Sequence, residues 1–153
     1  MCDQDHFEDD LKKYSRRDLG TLAAAGLGAA VLLPRAANAA EVSEREVTVE
    51  TPDGSCDAYF VAPESGAHAA VLVWPDIFGL RPAFRQMGKR LAESGYAVLV
   101  VNPFYRKMKA PTAAKGASTP IPDVIPLARS LNATTQEVDA KAFVEWLDKQ
   151  PQV

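Results

Sequence analysis

Pro75-Asp76-Ile77-Phe78-Gly79 sets a carboxylate directly after a proline and just ahead of a loosening glycine. The run before it, residues 69–74, is short, apolar and bounded by turn residues, the pattern of a strand buried on both faces. Pro75 has no N–H to give a neighbouring strand, so the strand should stop there and leave Asp76 at its carboxyl end. In open α/β sheets, ligands bind in the crevice beyond the carboxyl ends of the strands. Asp76 is therefore a candidate for chemistry, and equally a candidate to cap the turn that follows, a common use of aspartate. Other reactive side chains are scarce: Cys2 and Cys56 are the only cysteines, His6 and His68 the only histidines. Their number and spacing fit neither a disulfide framework nor a metal site, so no metal or cofactor is expected. Cys56 lies on an early strand and reads as a buried structural thiol; His68 lies in a polar connection and reads as a solvated loop histidine.

The elements that must position Asp76 follow from periodicity. The chain has 153 residues, 47% of them apolar, and a net charge of −3, which favours one domain with a packed core. No basic stripe with interleaved aromatics suggests nucleic-acid binding. Residues 46–50 alternate polar and apolar, Thr51-Pro52-Asp53-Gly54 forms a turn, and residues 56–61 return, giving an antiparallel hairpin at a sheet edge. After the Asp76 loop, Pro82 suits a first helical turn, Phe84, Met87, Gly88 and Leu91 form one apolar face, and Gly95 suits a left-handed cap. Residues 97–101 form a second buried strand, so strand, helix and strand make a parallel βαβ unit. Residues 102–130 read as a long loop carrying Pro103, Pro111, Pro120, Pro122 and Pro126, and loops of that length are usually functional or disordered. Thr134 and Glu137 offer a capping box for a last helix with Val138, Ala142, Phe143, Trp146 and Leu147 on one face. That face is expected to find little sheet to cover, which favours a sequence that is the N-terminal part of a longer protein over a complete four-stranded domain.

Residues 1–39 read as an address. A basic cluster of Lys12, Lys13, Arg16 and Arg17 precedes the uncharged, Leu/Ala/Gly-rich residues 19–33, and Ala37-Asn38-Ala39 ends the segment as a small-x-small site. This is the pattern of a signal peptide, with an apolar stretch short for a membrane span. Ser15-Arg16-Arg17-Asp18-Leu19 resembles the twin-arginine export motif. The expectation is engagement of the twin-arginine machinery, cleavage after Ala39 and a periplasmic or secreted product without a stable membrane anchor. A membrane-anchored or buried N-terminal helix is the alternative.

Three segments in order, residues 74–80 (Trp-Pro-Asp-Ile-Phe-Gly-Leu), 90–98 (Arg-Leu-Ala-Glu-Ser-Gly-Tyr-Ala-Val) and 102–105 (Asn-Pro-Phe-Tyr), resemble the dienelactone hydrolase family. The likeness runs from about Val47 to Val153. It implies an α/β fold, namely the N-terminal half of an α/β-hydrolase (an edge hairpin followed by parallel βαβ units), and a Cys-His-Asp triad that cleaves enol-lactones or related esters. The sequence contains no Gly-x-Ser-x-Gly or Gly-x-Cys-x-Gly elbow. The resemblance thus implies that nucleophile, acid and histidine all lie beyond Val153, and that no catalytic residue lies within the chain. Where the family carries a glutamate preceded by histidine, this chain has Asp76 preceded by Pro75. In this fold one oxyanion-hole N–H comes from the loop after this strand, which here points to Ile77. Arg106 falls near the family's substrate-carboxylate arginine, a task suited to a planar fork, and Arg81 is a second candidate.

Two functional readings follow. One is an exported hydrolase acting on small-molecule esters or lactones, of which residues 40–153 are the N-terminal part. The other is a non-catalytic periplasmic binding or interaction module complete at this length.

Overall fold

The computed structural model describes residues 40–153; the export signal read at residues 1–39 lies outside the described residues. Strands β1 (Val42–Thr51) and β2 (Gly54–Pro63) form a ten-residue antiparallel hairpin with Thr51 opposite Gly54. Gly54 has φ +134°, a conformation side-chain-bearing residues rarely adopt, and the Thr51 hydroxyl donates to the Gly54 carbonyl at 2.9 Å. Strand β3 (Ala70–Val73) leads through the Asp76 loop into helix α1 (Pro82–Glu93), with Pro82 in its first turn. Gly95, at φ +97°, closes α1 by donating to the Ala92 carbonyl. Strand β4 (Ala97–Val101) returns parallel to β3. The sheet order is β1-β2-β4-β3, with β2 antiparallel to β4.

Alternation along β2 and β4 divides the core between two faces. Cys56, Ala58, Phe60 and Ala62, with Ala97, Leu99 and Val101, point to one face; helix α3 (Ala133–Leu147) lies there and contributes Phe143 and Leu147. Tyr59, Val61, Val98 and Val100 point to the other, beneath α1. Gly88 lets α1 approach closely, because a Cβ there would stand 3.0 Å from Val100 Cγ2.

Several sequence expectations change in detail. Strand β3 is shorter than residues 69–74 and, among the described residues, is a sheet edge, so Val71 to Val73 are only half-buried. Met87 is 50% exposed and stands outside the buried face of α1, which Gly88 and Ala92 occupy instead. Residues 102–130 are not wholly loop: they hold a 3₁₀ turn (Gly116–Ser118) and helix α2 (Ile121–Ala128). Its prolines hid that helix, yet Pro122 sits in the first turn, where the missing N–H would have had no partner anyway. The capping box of α3 lies two residues earlier than Thr134: the Asn132 side chain accepts from the Thr135 N–H at 3.0 Å, while Glu137 pairs with Lys141.

The largest correction concerns the last helix. Phe143 and Leu147 are buried rather than left with little sheet to cover, and Trp146 meets Phe60 edge-on at 5.3 Å between ring centroids. The long hairpin explains this: β1 and β2 widen the sheet enough for α3 to cover it, and Trp74 packs on Phe143 at 5.6 Å. Truncating Phe143 to alanine should cost about 3–5 kcal/mol, whereas Val144→Ala on the exposed side of the same helix should cost little. Urea denaturation midpoints of the two variants check this.

Candidate functional site

The loop between β3 and α1 is built on a turn from Asp76 to Gly79. The Gly79 N–H donates to the Asp76 carbonyl at 2.9 Å, and the Phe78 N–H donates to Asp76 Oδ1 at 3.0 Å. Two of the amides after Asp76 are thereby satisfied within the turn. The third, the Ile77 N–H, finds no acceptor among the described residues. It stands beyond the carboxyl end of β3, where the family resemblance put the candidate oxyanion donor.

Asp76 serves as the turn's cap and as an ion-pair partner at once. Arg81 Nη1 and Nη2 donate to Asp76 Oδ1 and Oδ2 at 2.5 and 2.8 Å, a two-pronged pair. The Arg81 guanidinium, helped by the Phe78 N–H, holds the Asp76 carboxyl below its ordinary range, so Asp76 is ionised at neutral pH and has no proton to give as a general acid. Arg81 also stacks over Phe84 and Phe78, with its Cζ 4.7 and 5.5 Å from the ring centroids.

The segment after β4 closes on this turn. Thr112, buried, donates its hydroxyl to the Phe78 carbonyl at 3.4 Å. Gly79, at φ +72°, is required twice over, since a Cβ there would come within 2.1 Å of Thr112 Oγ1. The segment is itself tied to β2. Buried Asn102 donates to Asp57 Oδ1 and to the Met108 carbonyl, both at 2.9 Å, and the Ala110 N–H donates to Asp57 Oδ2 at 2.8 Å.

Arg106, the candidate substrate clamp, is held elsewhere and pairs with this chain's own carboxylates. Nε and Nη2 donate to Asp53 Oδ2 at 3.0 and 2.6 Å, and Nη1 and Nη2 donate to Asp139 Oδ2 and Oδ1 at 2.7 Å each. Four of its five N–H groups are thus taken. Asp139 is only 1% exposed and also accepts from the Tyr105 hydroxyl at 2.7 Å. Sequence reasoning passed over Asp139, although a signal existed: it lies four and eight residues ahead of Phe143 and Leu147, a lone carboxylate in the apolar register of α3. Arg106 and Asp139 do not meet Asp76 or Arg81.

Cys56 and His68, read from the sequence as a structural thiol and a loop histidine, make no hydrogen bond to the Asp76 turn. The Cys56 thiol is wholly buried and donates to the Asn102 carbonyl at 3.4 Å; burial pushes its pKa up to about 12. His68 stands before β3, at the opposite end of the strand from Asp76, with its ring nitrogens 3.1 and 2.9 Å from the Gly95 and Ser65 carbonyls. Among the described residues, no cluster of three or more His, Cys, Asp or Glu could hold a metal ion. A groove of about 700 Å³ between β1 and α3 is lined by Thr48, Glu50, Lys141, Glu145 and Trp146, away from the Asp76 turn.

The raised thiol pKa has a consequence for stability. The unfolded chain ionises Cys56 near pH 8.5, and the folded chain only near pH 12. The unfolded state therefore loses its proton first as pH rises, and stability should fall above about pH 8.5, by up to about 1.4 kcal/mol per pH unit. Between pH 8.5 and about 10, Cys56→Ala should flatten that fall in a urea titration series. A thiol-specific chromogenic disulfide should label Cys56 only as fast as the chain unfolds.

The profile of the dienelactone hydrolase family matches residues 56–153. No significant match was found among curated proteins. Three solved structures align over nearly three quarters of this chain. A protein of Klebsiella pneumoniae subsp. pneumoniae MGH 78578, named provisionally as a dienelactone hydrolase, aligns with a TM-score of 0.64 at 18% identity, over 74% of this chain and 46% of its own. A protein named m3DLH aligns at 0.58 and 22%, over 73% and 45%. P91, a dienelactone hydrolase-like promiscuous phosphotriesterase from metagenomic libraries, aligns at 0.55 and 26%, over 73% and 45%. The chain thus spans a little under half the length of each, and its hairpin, βαβ unit and flanking helices are the N-terminal half of an α/β-hydrolase fold. With the family profile matched over well more than half of its residues, the chain belongs to the dienelactone hydrolase family.

Proposed function

We propose that this chain supplies the oxyanion-hole half of an exported hydrolase that cleaves small-molecule esters or lactones. The observation that carries the reading is the Ile77 N–H, which finds no acceptor among the described residues and stands in a fixed turn at the carboxyl end of β3. Attack on an ester or lactone carbonyl puts negative charge on its oxygen, and donors aimed at that charge are worth roughly 3–4 kcal/mol each. In this fold the second donor is the N–H following the nucleophile. Within residues 40–153, Cys56 is buried and protonated and His68 stands at the far end of β3, so neither serves as nucleophile or base. In this reading, nucleophile, triad acid and triad histidine come from sequence beyond Val153. The half-buried edge of β3 supports it, since among the described residues no strand pairs with it on the side away from β4.

The export part of the proposal rests on Arg16-Arg17 and Ala37-Asn38-Ala39. The mature protein should begin at Ala40 by N-terminal sequencing, and Arg16→Lys with Arg17→Lys should abolish export. Export untouched by that pair would remove the twin-arginine route.

The catalytic part is tested on an activated ester and an enol-lactone. Residues 40–153 alone should turn over neither; the same chain with its continuation should turn over at least one, with inhibition by a thiol- or serine-directed reagent. Ile77→Pro deletes the N–H while suiting the second position of a turn, and should lower kcat by roughly 10²–10³-fold. Turnover by residues 40–153 that vanishes in Cys56→Ala would overturn the assignment. An inactive continued chain that still binds a lactone would favour the non-catalytic module instead.

A further inference from the structure

We propose that the Asp76–Arg81 pair positions the oxyanion donor: it locks the turn that aims the Ile77 N–H, and Arg81 does not bind substrate. The inference rests on the reading of Ile77 given above.

Three observations converge on it. First, Arg81 belongs to two elements at once. Its backbone caps α1, where its carbonyl accepts from the Phe84 and Arg85 N–H groups at 3.0 and 3.2 Å. Its side chain turns back to grip both oxygens of Asp76. The loop from Asp76 to Arg81 is therefore a closed ring fastened to the start of a helix, and α1 is packed on β4 through Gly88. Second, Asp76 Oδ1 is shared between Arg81 and the Phe78 N–H. Releasing Arg81 frees the carboxylate to rotate and loosens the Phe78 bond, and with it the direction of the preceding N–H. Third, the guanidinium has few other options: it is stacked over Phe84 and Phe78, and its side chain is only 16% exposed. A substrate carboxylate would have to displace Asp76 to reach its fork.

The partly exposed pair contributes little to global stability, since Asp76 keeps 45% of its side-chain surface in solvent. Its effect should appear in the geometry of the transition state, where small misplacements of a donor are costly.

The test uses the continued, active chain with two substrates, a neutral activated ester and an anionic lactone. Arg81→Ala should lower kcat on both by roughly 10- to 100-fold, with KM changed by no more than about twofold on either. A trifluoromethyl ketone, which mimics the tetrahedral adduct, should lose affinity in step with kcat. Arg81→Lys, which keeps the charge without the fork, should recover part of the loss, and Asp76→Ala combined with Arg81→Ala should be no worse than Asp76→Ala alone. A KM increase confined to the anionic lactone would overturn the proposal and make Arg81 a substrate clamp. If Ile77→Pro is damaging but Arg81→Ala is silent, the pair has no positioning role while the oxyanion reading stands; if Ile77→Pro is silent in an active enzyme, the oxyanion reading itself falls. A readout independent of turnover is amide hydrogen exchange on the continued chain. The Phe78 and Gly79 amides should exchange faster in Arg81→Ala with the α1 and β4 amides unchanged, and unaltered exchange at Phe78 and Gly79 would overturn the proposal.

Discussion

Every residue of β4 is buried, so each of its peptide groups must be paired within the protein. That requirement organises the described residues. On one side β2 satisfies β4 in antiparallel register, Ala58 opposite Val101 and Val61 opposite Val98; on the other β3 does so in parallel, Leu72 opposite Leu99. The parallel pairing obliges the chain to cross over through α1, and the crossover sends the carboxyl ends of β3 and β4 to the same end of the sheet. The Asp76 turn and the segment from Asn102 meet at that end because β4 has to be paired on both sides.

The two faces of the sheet are covered by unlike means. On the α1 side the contact is close and apolar, with Gly88 letting the helix backbone descend onto Val100. On the α3 side a carboxylate, Asp139, is buried with the core residues. An unpaired charge there would be strongly destabilising. It is instead met by two prongs of Arg106 and the Tyr105 hydroxyl. Arg106 also reaches Asp53 in the β1–β2 turn, and the Tyr105 hydroxyl lies 2.7 Å from Thr51 Oγ1. One buried carboxylate thus ties helix, hairpin and the segment after β4 together. An arginine that the family resemblance suggested as a substrate ligand is spent, in this arrangement, on holding the fold.

The candidate site is constrained in a similar way. A donor useful to catalysis must be left without a partner yet kept from moving, two demands that oppose each other in a surface loop. In the proposed reading the turn reconciles them by satisfying the Phe78 and Gly79 N–H groups while the Ile77 N–H is left without an acceptor among the described residues. Asp76 caps the turn, Arg81 fastens it to α1, and Thr112 packs against Phe78 and Gly79.

Much of this was legible in the residues. Alternation marked the hairpin, apolar runs marked β3 and β4, helical spacing marked α1 and α3, and Pro75 placed Asp76 at a strand end, because each is a local consequence of backbone geometry and side-chain period. The family could be recognised from three short segments for the same reason. What escaped the sequence was longer in range or balanced between local preferences. Helix α2 was obscured by prolines whose cost depends on their position in the turn, and the α3 cap lay at Asn132 because either of two adjacent polar pairs would serve. The cover that α3 finds on the sheet depended on how far β1 and β2 extend, which periodicity does not reveal. The partners of Arg106, 53 and 33 residues away along the chain, depended on the fold bringing a turn and a helix to one place. The grip of Arg81 on Asp76 spans only five residues, yet it too was decided by tertiary structure: a guanidinium will pair with whichever carboxylate packing presents to it, and here α1, seated on β4, carries Arg81 back to Asp76.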